Sequence, residues 1–270
     1  MKNKVTVALQ GGLGNQLFQI ATAYSYSIYN DSELKIYKDL YIPSHHPDLK
    51  SYKDNIYSNL KIESLDANFA RYNEQSFCFN EIPKIDKNVM LYGYFQSEKY
   101  FKKHSQEIKK LFNFKSEITS KYKNELKTKN CSIHIRRGDY LNLKNFHPNQ
   151  GLDYYKEAMS LFEKDTLFFV FSNDIEWCKK EINKNSTGVE NFVFVEGNSC
   201  EEDLLLMSNC QNNIIANSSF SWWGAWLNDN QSKKIIYPKN WFTESYAKRI
   251  CGQDFENYKK SLIPENWIGI

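Results

Sequence analysis

From Lys4 to Leu9 apolar residues alternate with polar ones in a β-rich stretch, which predicts a first strand that Gly11-Gly12-Leu13-Gly14 then breaks. Asn15 stands where it can cap a helix running to about Ser27, so the chain opens as a strand, a glycine turn and a helix. Between about Asp31 and Lys87 no period persists. Pro43 to Asp48 reads as a loop, and the rest as short helical and extended pieces. Val89 to Phe95 reads as a buried strand. Ser97 to Phe112 reads as an amphipathic helix, with Tyr100, Phe101, His104, Ile108, Leu111 and Phe112 near one face and His104 at the core edge.

After a polar stretch from Lys115 to Asn130 the pattern becomes regular. Strands are predicted at Ser132–Arg136, Thr166–Phe171, Phe192–Val195, Asn213–Ala216 and Lys234–Tyr237. Helices are predicted at Asp153–Phe162, Asp174–Asn183, Glu201–Cys210 and Phe220–Leu227. Such alternation implies a parallel sheet with helices on both faces, and sheets of that kind bind ligands beyond the carboxyl ends of their strands. Chemistry is therefore sought at Arg136 to Tyr140, Ser172-Asn173-Asp174, Glu196-Gly197 and Asn217 to Ser221, and after the first strand at Gly11 to Gln16.

A chain of 270 residues with 41% hydrophobic residues fills real cores. Its 35 basic and 32 acidic residues are too balanced for binding by blanket phosphate neutralisation, so nucleic acid is not an expected partner. No apolar run approaches the roughly 18 residues of a membrane-spanning helix. Met1 to Leu9 lacks the apolar core of a signal peptide. The expectation is a cytoplasmic protein without an integral membrane segment, with peripheral association at the inner face of the membrane left open. Six cysteines show neither Cys-x-x-Cys nor zinc-type histidine spacing, and read as buried free thiols.

Arginine use changes the picture. Only four of the 35 basic residues are arginine, and Arg136 and Arg137 are two of them, side by side in His134-Ile135-Arg136-Arg137-Gly138-Asp139-Tyr140. Neighbouring side chains on a strand point to opposite faces, so the pair serves one patch only if the chain turns there, and Gly138 supplies the turn. A guanidinium forks onto two phosphate oxygens as lysine cannot. The structural alternative is an Arg–Asp pair using Asp139. Gly12-x-Gly14 lacks the third glycine of a dinucleotide fingerprint, since Leu17 stands there, and the chain has no P-loop signature. What remains is a close backbone approach and a helix N-terminus that favours an anion. Asn217-Ser218-Ser219-Phe220-Ser221-Trp222-Trp223-Gly224 opens another helix with hydroxyls and an amide. Ser218 or Ser219 suits the cap, Asp174 suits the cap of the helix after it, and Trp222, Trp223 and Trp226 suit a wedge against the sheet. No two Asp residues flank a single residue, so the acidic pair that holds a divalent ion on a diphosphate is missing.

These blocks resemble the glycosyltransferase family 11 fucosyltransferases of the bacterial branch. The likeness lies in Gly11 to Gln19, Gly93 to Phe101, His134 to Tyr140 and Asn217 to Leu227, with smaller matches at Tyr154-Tyr155, Phe171 to Asp174 with Trp177, and Asp203 to Cys210. The resemblance implies an α/β, GT-B-like fold of two Rossmann-like halves with mainly parallel sheets. Residues 1–115 are expected to form an acceptor-side domain and 116–270 the GDP-fucose-binding domain. It further implies inverting, metal-independent transfer of fucose from GDP-β-L-fucose to the 2-hydroxyl of a terminal galactose on a glycan acceptor, with no cofactor. By the same resemblance Arg136 contacts the donor diphosphate, and Asn15 approaches the phosphates or the acceptor. The expected donor-binding set is Gly12, Gly14, Gln16, Arg137, Ser172, Asp174, Asn217, Ser218, Ser219, Phe220 and Ser221. His134, Asp139 and Asn15 stay open as the general base, beside the alternative that no side chain takes the proton before bond breaking. Two rival functions stand beside this one: a transferase using another sugar nucleotide, for example GDP-linked but not fucose, and a non-catalytic glycan-binding protein.

Overall fold

A computed structural model describes residues 2–42, 49–252 and 257–270, without the side chains of residues 49 and 50; the loop expected at Pro43 to Asp48 lies outside the described residues. The chain divides into two compact units, Met1–Lys115 with Ala247–Glu265, and Ser116–Tyr246 with Asn266–Ile270.

The first unit is built from β1 (Lys4–Val7), α1 (Leu13–Tyr29), β2 (Glu33–Leu34), β3 (Ile36–Tyr37), α2 (Leu49–Tyr52), β4 (Ile62–Glu63), β5 (Ala70–Asn73), β6 (Val89–Tyr92) and α3 (Ser105–Leu111). Its main sheet has the order β2-β1-β6-β5 with every neighbour parallel, while β3 and β4 pair separately. Leu17, Phe18, Ile20 and Ala21 of α1 are fully buried. A helix enclosed to this degree has no room for charge, and its polar positions are Gln, Asn, Thr, Ser and Tyr.

The second unit runs through α4 (Ile118–Lys121), β7 (Asn130–Ile135), α5 (Leu152–Ser160), β8 (Leu167–Ser172), α6 (Ile175–Glu181), α7 (Lys184–Thr187), β9 (Phe192–Phe194), α8 (Cys200–Asn209), β10 (Asn212–Ile214), α9 (Ser219–Leu227), β11 (Ile235–Tyr237) and, after the excursion of α10 (Glu244–Cys251) and α11 (Tyr258–Leu262), β12 (Ile268–Gly269). The six parallel strands take the order β12-β11-β10-β7-β8-β9, that of the doubly wound dinucleotide-binding sheet. Alternation along β8 shows how both faces are covered. Phe168 and Val170 pack with Tyr155, Ala158 and Met159 of α5 and Cys178 of α6, while Phe169 and Phe171 pack with Leu206 and Met207 of α8. The expected α/β class with parallel sheets holds.

Several expectations need correction. α1 begins at Leu13 with Gly12 at its cap position, so Asn15 lies within the first turn instead of at the cap. The segment 97–112 is not one helix. Ser97 accepts from Lys99 N–H to start a short 3-10 turn, a second follows at Lys102–His104, and only Ser105–Leu111 is α-helical. The segment is bent because Phe101 is fully buried and the Ser97 hydroxyl donates to Ser261 O, tertiary anchors that override helical propensity. Residues 247–265, expected with the second domain, are built into the first unit: Phe77 N–H donates to Ile250 O at 3.2 Å and Phe79 N–H to Ser261 Oγ at 3.0 Å. Among the described residues no helix is long and apolar enough to cross a membrane.

Candidate active site

In the second unit the sheet order reverses between β7 and β10, the place where doubly wound sheets bind ligands. β7 runs straight into Arg136. Arg137 then leaves the strand at φ −125°, ψ −86°, and Gly138–Leu141 form a 3-10 turn. Arg136 Nε lies 2.9 Å from Asp139 Oδ1, and Nη2 donates to Oδ2 at 2.9 Å. The carboxylate is hydrogen-bonded to Nη2 and lies beside Nε, which for all the closeness makes no hydrogen bond. Nη1 has no protein partner among the described residues, and the side chain remains 23% exposed, so the edge away from Asp139 is left for a second, bidentate ligand. The structural alternative for Arg136 is thus present, and it orients the cation without using it up.

Arg137 is held on three sides. Its guanidinium lies 3.8 Å from the Trp177 ring centroid, Nε donates to Asp174 Oδ2 at 3.2 Å, and its backbone N–H donates to Asn173 Oδ1 at 3.0 Å. Gly138 is a glycine for a steric reason: a Cβ there would meet Asn173 Nδ2 at 2.2 Å. Asp174 does cap α6, accepting from Trp177 N–H at 3.4 Å, and its own N–H is fixed by Ser172 Oγ at 3.0 Å. These residues bind the ends of β7 and β8 into one rigid edge.

On the other side of the reversal Ser218 occupies the cap position of α9, and its hydroxyl makes no cap bond. Three other residues of this block, Asn217, Phe220 and Ser221, are tied into the fold. Ser221 is buried, with its hydroxyl directed at Ala216 O and Ser218 O, each at 3.4 Å. Asn217 is buried, and its side-chain amide donates to Pro148 O and Trp241 O at 3.0 Å while its backbone carbonyl accepts from Tyr140 OH at 3.0 Å. The Phe220 ring packs 5.4 Å from that of His134.

His134 is a poor general base. Its ring is buried, and burial first, then the neighbouring Arg136 charge, pulls its pKa down to about 3. His147, which carries no sequence signal of its own, stacks on Tyr140 at 4.5 Å and 16°. Burial lowers its pKa to about 4, with the Asp139 charge opposing. Asp203 lies in the first turn of α8, accepting from Asn198 Nδ2 at 3.0 Å, and burial raises its pKa to about 6. Among the described residues no three His, Cys, Asp or Glu side chains gather as metal ligands.

The first unit has its own reversal, between β1 and β6. Gly11 makes the turn after β1 at φ +76°, and a Cβ there would lie 2.5 Å from Asn15 Nδ2. Gln16 is buried, donating from Nε2 to Gly11 O at 2.9 Å and accepting from Tyr57 OH at 3.0 Å. It supports the turn, with Gly12 at the cap position of α1 and Gly14 buried behind it. Gln19 ties the two strand ends together, accepting from Gln10 N–H at 3.0 Å and donating to Gly93 O at 3.1 Å. Asn15 Oδ1 accepts from Gln96 Nε2 at 2.8 Å. Glutamines give no periodic signal of such pairing, which only the fold brings about.

The sequence matches glycosyl transferase family 11 over residues 1–270. The chain belongs to glycosyl transferase family 11. It is 32% identical over 306 aligned residues to an alpha-1,2-colitosyltransferase of Escherichia coli, covering 98% of each chain. With a galactoside 2-alpha-L-fucosyltransferase of Caenorhabditis elegans the identity is 25% over 291 residues, 97% of this chain and 78% of that one. Among solved structures it is similar to NodZ alpha-1,6-fucosyltransferase from Bradyrhizobium soaked with GDP-fucose, with a TM-score of 0.55 over 84% of this chain and 93% of that one at 14% identity. The likeness to NodZ speaks for the fold, and gives this family 11 glycosyl transferase the GT-B-like architecture its sequence implied.

Proposed function

We propose that this enzyme transfers L-fucose from GDP-β-L-fucose to the 2-hydroxyl of a terminal galactose, with inversion and without a divalent ion. The observation that carries the reading is the β7/β10 reversal of the second unit. A partly exposed arginine oriented by Asp139 follows one strand there, and a helix N-terminus whose cap residue makes no side-chain cap bond follows the other. Residues 116–246 hold the nucleotide in this reading, and the first unit serves the acceptor. The acceptor oxygen bonds to the anomeric carbon as the carbon–oxygen bond to GDP breaks, and the electron pair leaves with the diphosphate. Arg136 and the first amides of α9 meet that charge as it develops, positioned before the reaction starts. Arg137, fixed by Trp177, Asp174 and Asn173, adds a second positive charge. Asp139 is committed to Arg136 and His134 is too weakly basic, so no side chain takes the acceptor proton before bond breaking; it passes to solvent water as the new bond to the anomeric carbon completes. A cytoplasmic setting is supported by six free thiols, five of them buried.

The relative named as a colitosyltransferase favours a second donor. Colitose is L-fucose without its 3-hydroxyl, so GDP-colitose presents the same diphosphate to Arg136. Incubation with either GDP-sugar and lactose in EDTA, followed by product NMR, tests donor, linkage and metal independence together. The expected product from GDP-fucose is an α-1,2-fucosylated galactose, formed at an undiminished rate in EDTA. No product from either donor, with no calorimetric heat on adding GDP, would leave the glycan-binding reading in its place.

A further inference from the structure

The turn that opens the block Gly93 to Phe101 is held by Glu74. Glu74 follows β5, and its N–H donates to Tyr92 O at 2.8 Å. Its carboxylate turns over the end of β6, where Oε2 accepts from Tyr94 N–H at 2.7 Å and Oε1 from Phe95 N–H at 2.9 Å. The turn is one the chain does not adopt unaided. Phe95 sits at φ +52°, in the left-handed region, and a Cβ on Gly93 would come within 2.4 Å of Glu74 Cβ. The next residue after the turn is Gln96, buried, donating to Asn15 across the β1/β6 reversal.

The carboxylate has no lysine or arginine partner among the described residues. The titratable groups that feel its charge are the phenols of Tyr72 on β5 and of Tyr100. Burial raises its pKa to about 7, and the two amide bonds work against that rise.

We infer that Glu74 is a positioning residue for glycosyl transfer: it clamps the Gly93–Phe95 turn so that Gln96 stands against Asn15 at the acceptor-side strand edge, without itself touching the reacting atoms. The activity part of this inference rests on the proposed function; the clamp does not. The ionised carboxylate accepts both amides, whereas a protonated one gives up an acceptor.

The test is Glu74→Gln in the full chain, which keeps the shape and loses the second acceptor, with Glu74→Ala beside it. Hydrogen exchange at Tyr94 and Phe95 is expected to quicken about tenfold or more in Glu74→Gln, with the core of β6 unchanged. The kcat/KM for acceptor is expected to fall between about tenfold and a hundredfold, the cost of a small misplacement of a positioned group, with GDP affinity by calorimetry unchanged. In the parent enzyme kcat/KM is expected to fall as pH drops through about 7, because protonation opens the clamp, and in Glu74→Gln that limb disappears. Unchanged exchange at Tyr94 and Phe95, or full acceptor turnover with the acid limb intact in an active enzyme, would overturn the inference. A parent protein that neither transfers sugar nor binds GDP would instead overturn the proposed function, and the exchange measurement would still judge the clamp.

Discussion

Arg136→Ala is expected to lower kcat/KM by about 10²–10³, the equivalent of about 2.7–4 kcal/mol lost when one preorganised donor is removed from a developing negative charge. The expectation follows from the division of labour around this guanidinium. Asp139 is hydrogen-bonded to Nη2 and lies beside Nε, fixing the plane of the group, and the edge away from it is left for two oxygens of a diphosphate. Arg136→Lys is expected to fall between the parent and Arg136→Ala, because an ammonium keeps the charge but cannot grip the carboxylate on one side and two phosphate oxygens on the other. Initial rates with GDP-fucose and lactose, with donor concentration varied, check both variants. Near-normal turnover in Arg136→Ala would remove the arginine from the chemistry.

The second large effect concerns stability. Trp222→Ala is expected to cost about 3–5 kcal/mol, the range for deleting a fully buried aromatic side chain whose site refills only in part. Trp222 is fully enclosed, with ring centroids of Trp223, Trp226 and Trp267 at 5.3, 6.2 and 5.4 Å. On the far side of α9 a Cβ at Gly224 would come within 3.0 Å of Met207 Cβ, so α9 and α8 are already in close contact and have little space to move into. GDP affinity is expected to weaken with stability, since α9 presents its amides to the β7/β10 reversal only while its body is held. Urea unfolding of parent and variant gives the measurement; a loss under about 1 kcal/mol would mean that the tryptophans are not the wedge that fixes this helix.

What the sequence disclosed follows from the length of its elements. β7 and β8 are six-residue strands buried almost throughout, so their apolar runs announce themselves, and the residues that end them fall where a parallel sheet binds ligands. The first unit was legible only at β1, α1 and β6. β2, β3 and β4 have two residues each, too few to show any period, and β5 reads Ala-Arg-Tyr-Asn. Glu74 lay hidden there because its partners are main-chain amides some twenty positions away, and backbone groups leave no mark in composition. Three polar residues of the candidate site have structural partners that the sequence does not announce. Gln16, Asn217 and Ser221 are polar and stand in glycine- or serine-rich openings, which suggests contact with a ligand. Each bonds a backbone carbonyl, a demand invisible until the chain is folded. Arg136 and Arg137 were singled out by their rarity in a lysine-rich chain. Their separate tasks, one open to a ligand and one locked by Trp177 and Asp174, came only from geometry.

The measurement that bears most directly on the account is the crystal structure of the enzyme with GDP, grown from a solution containing magnesium. Arg136 is expected to keep its hydrogen bond to Asp139 while the edge away from it reaches the diphosphate oxygens, with the first amides of α9 on the same anion and no metal ion between. A guanidinium turned away from the nucleotide, or a magnesium ion holding the diphosphate in its stead, would contradict it.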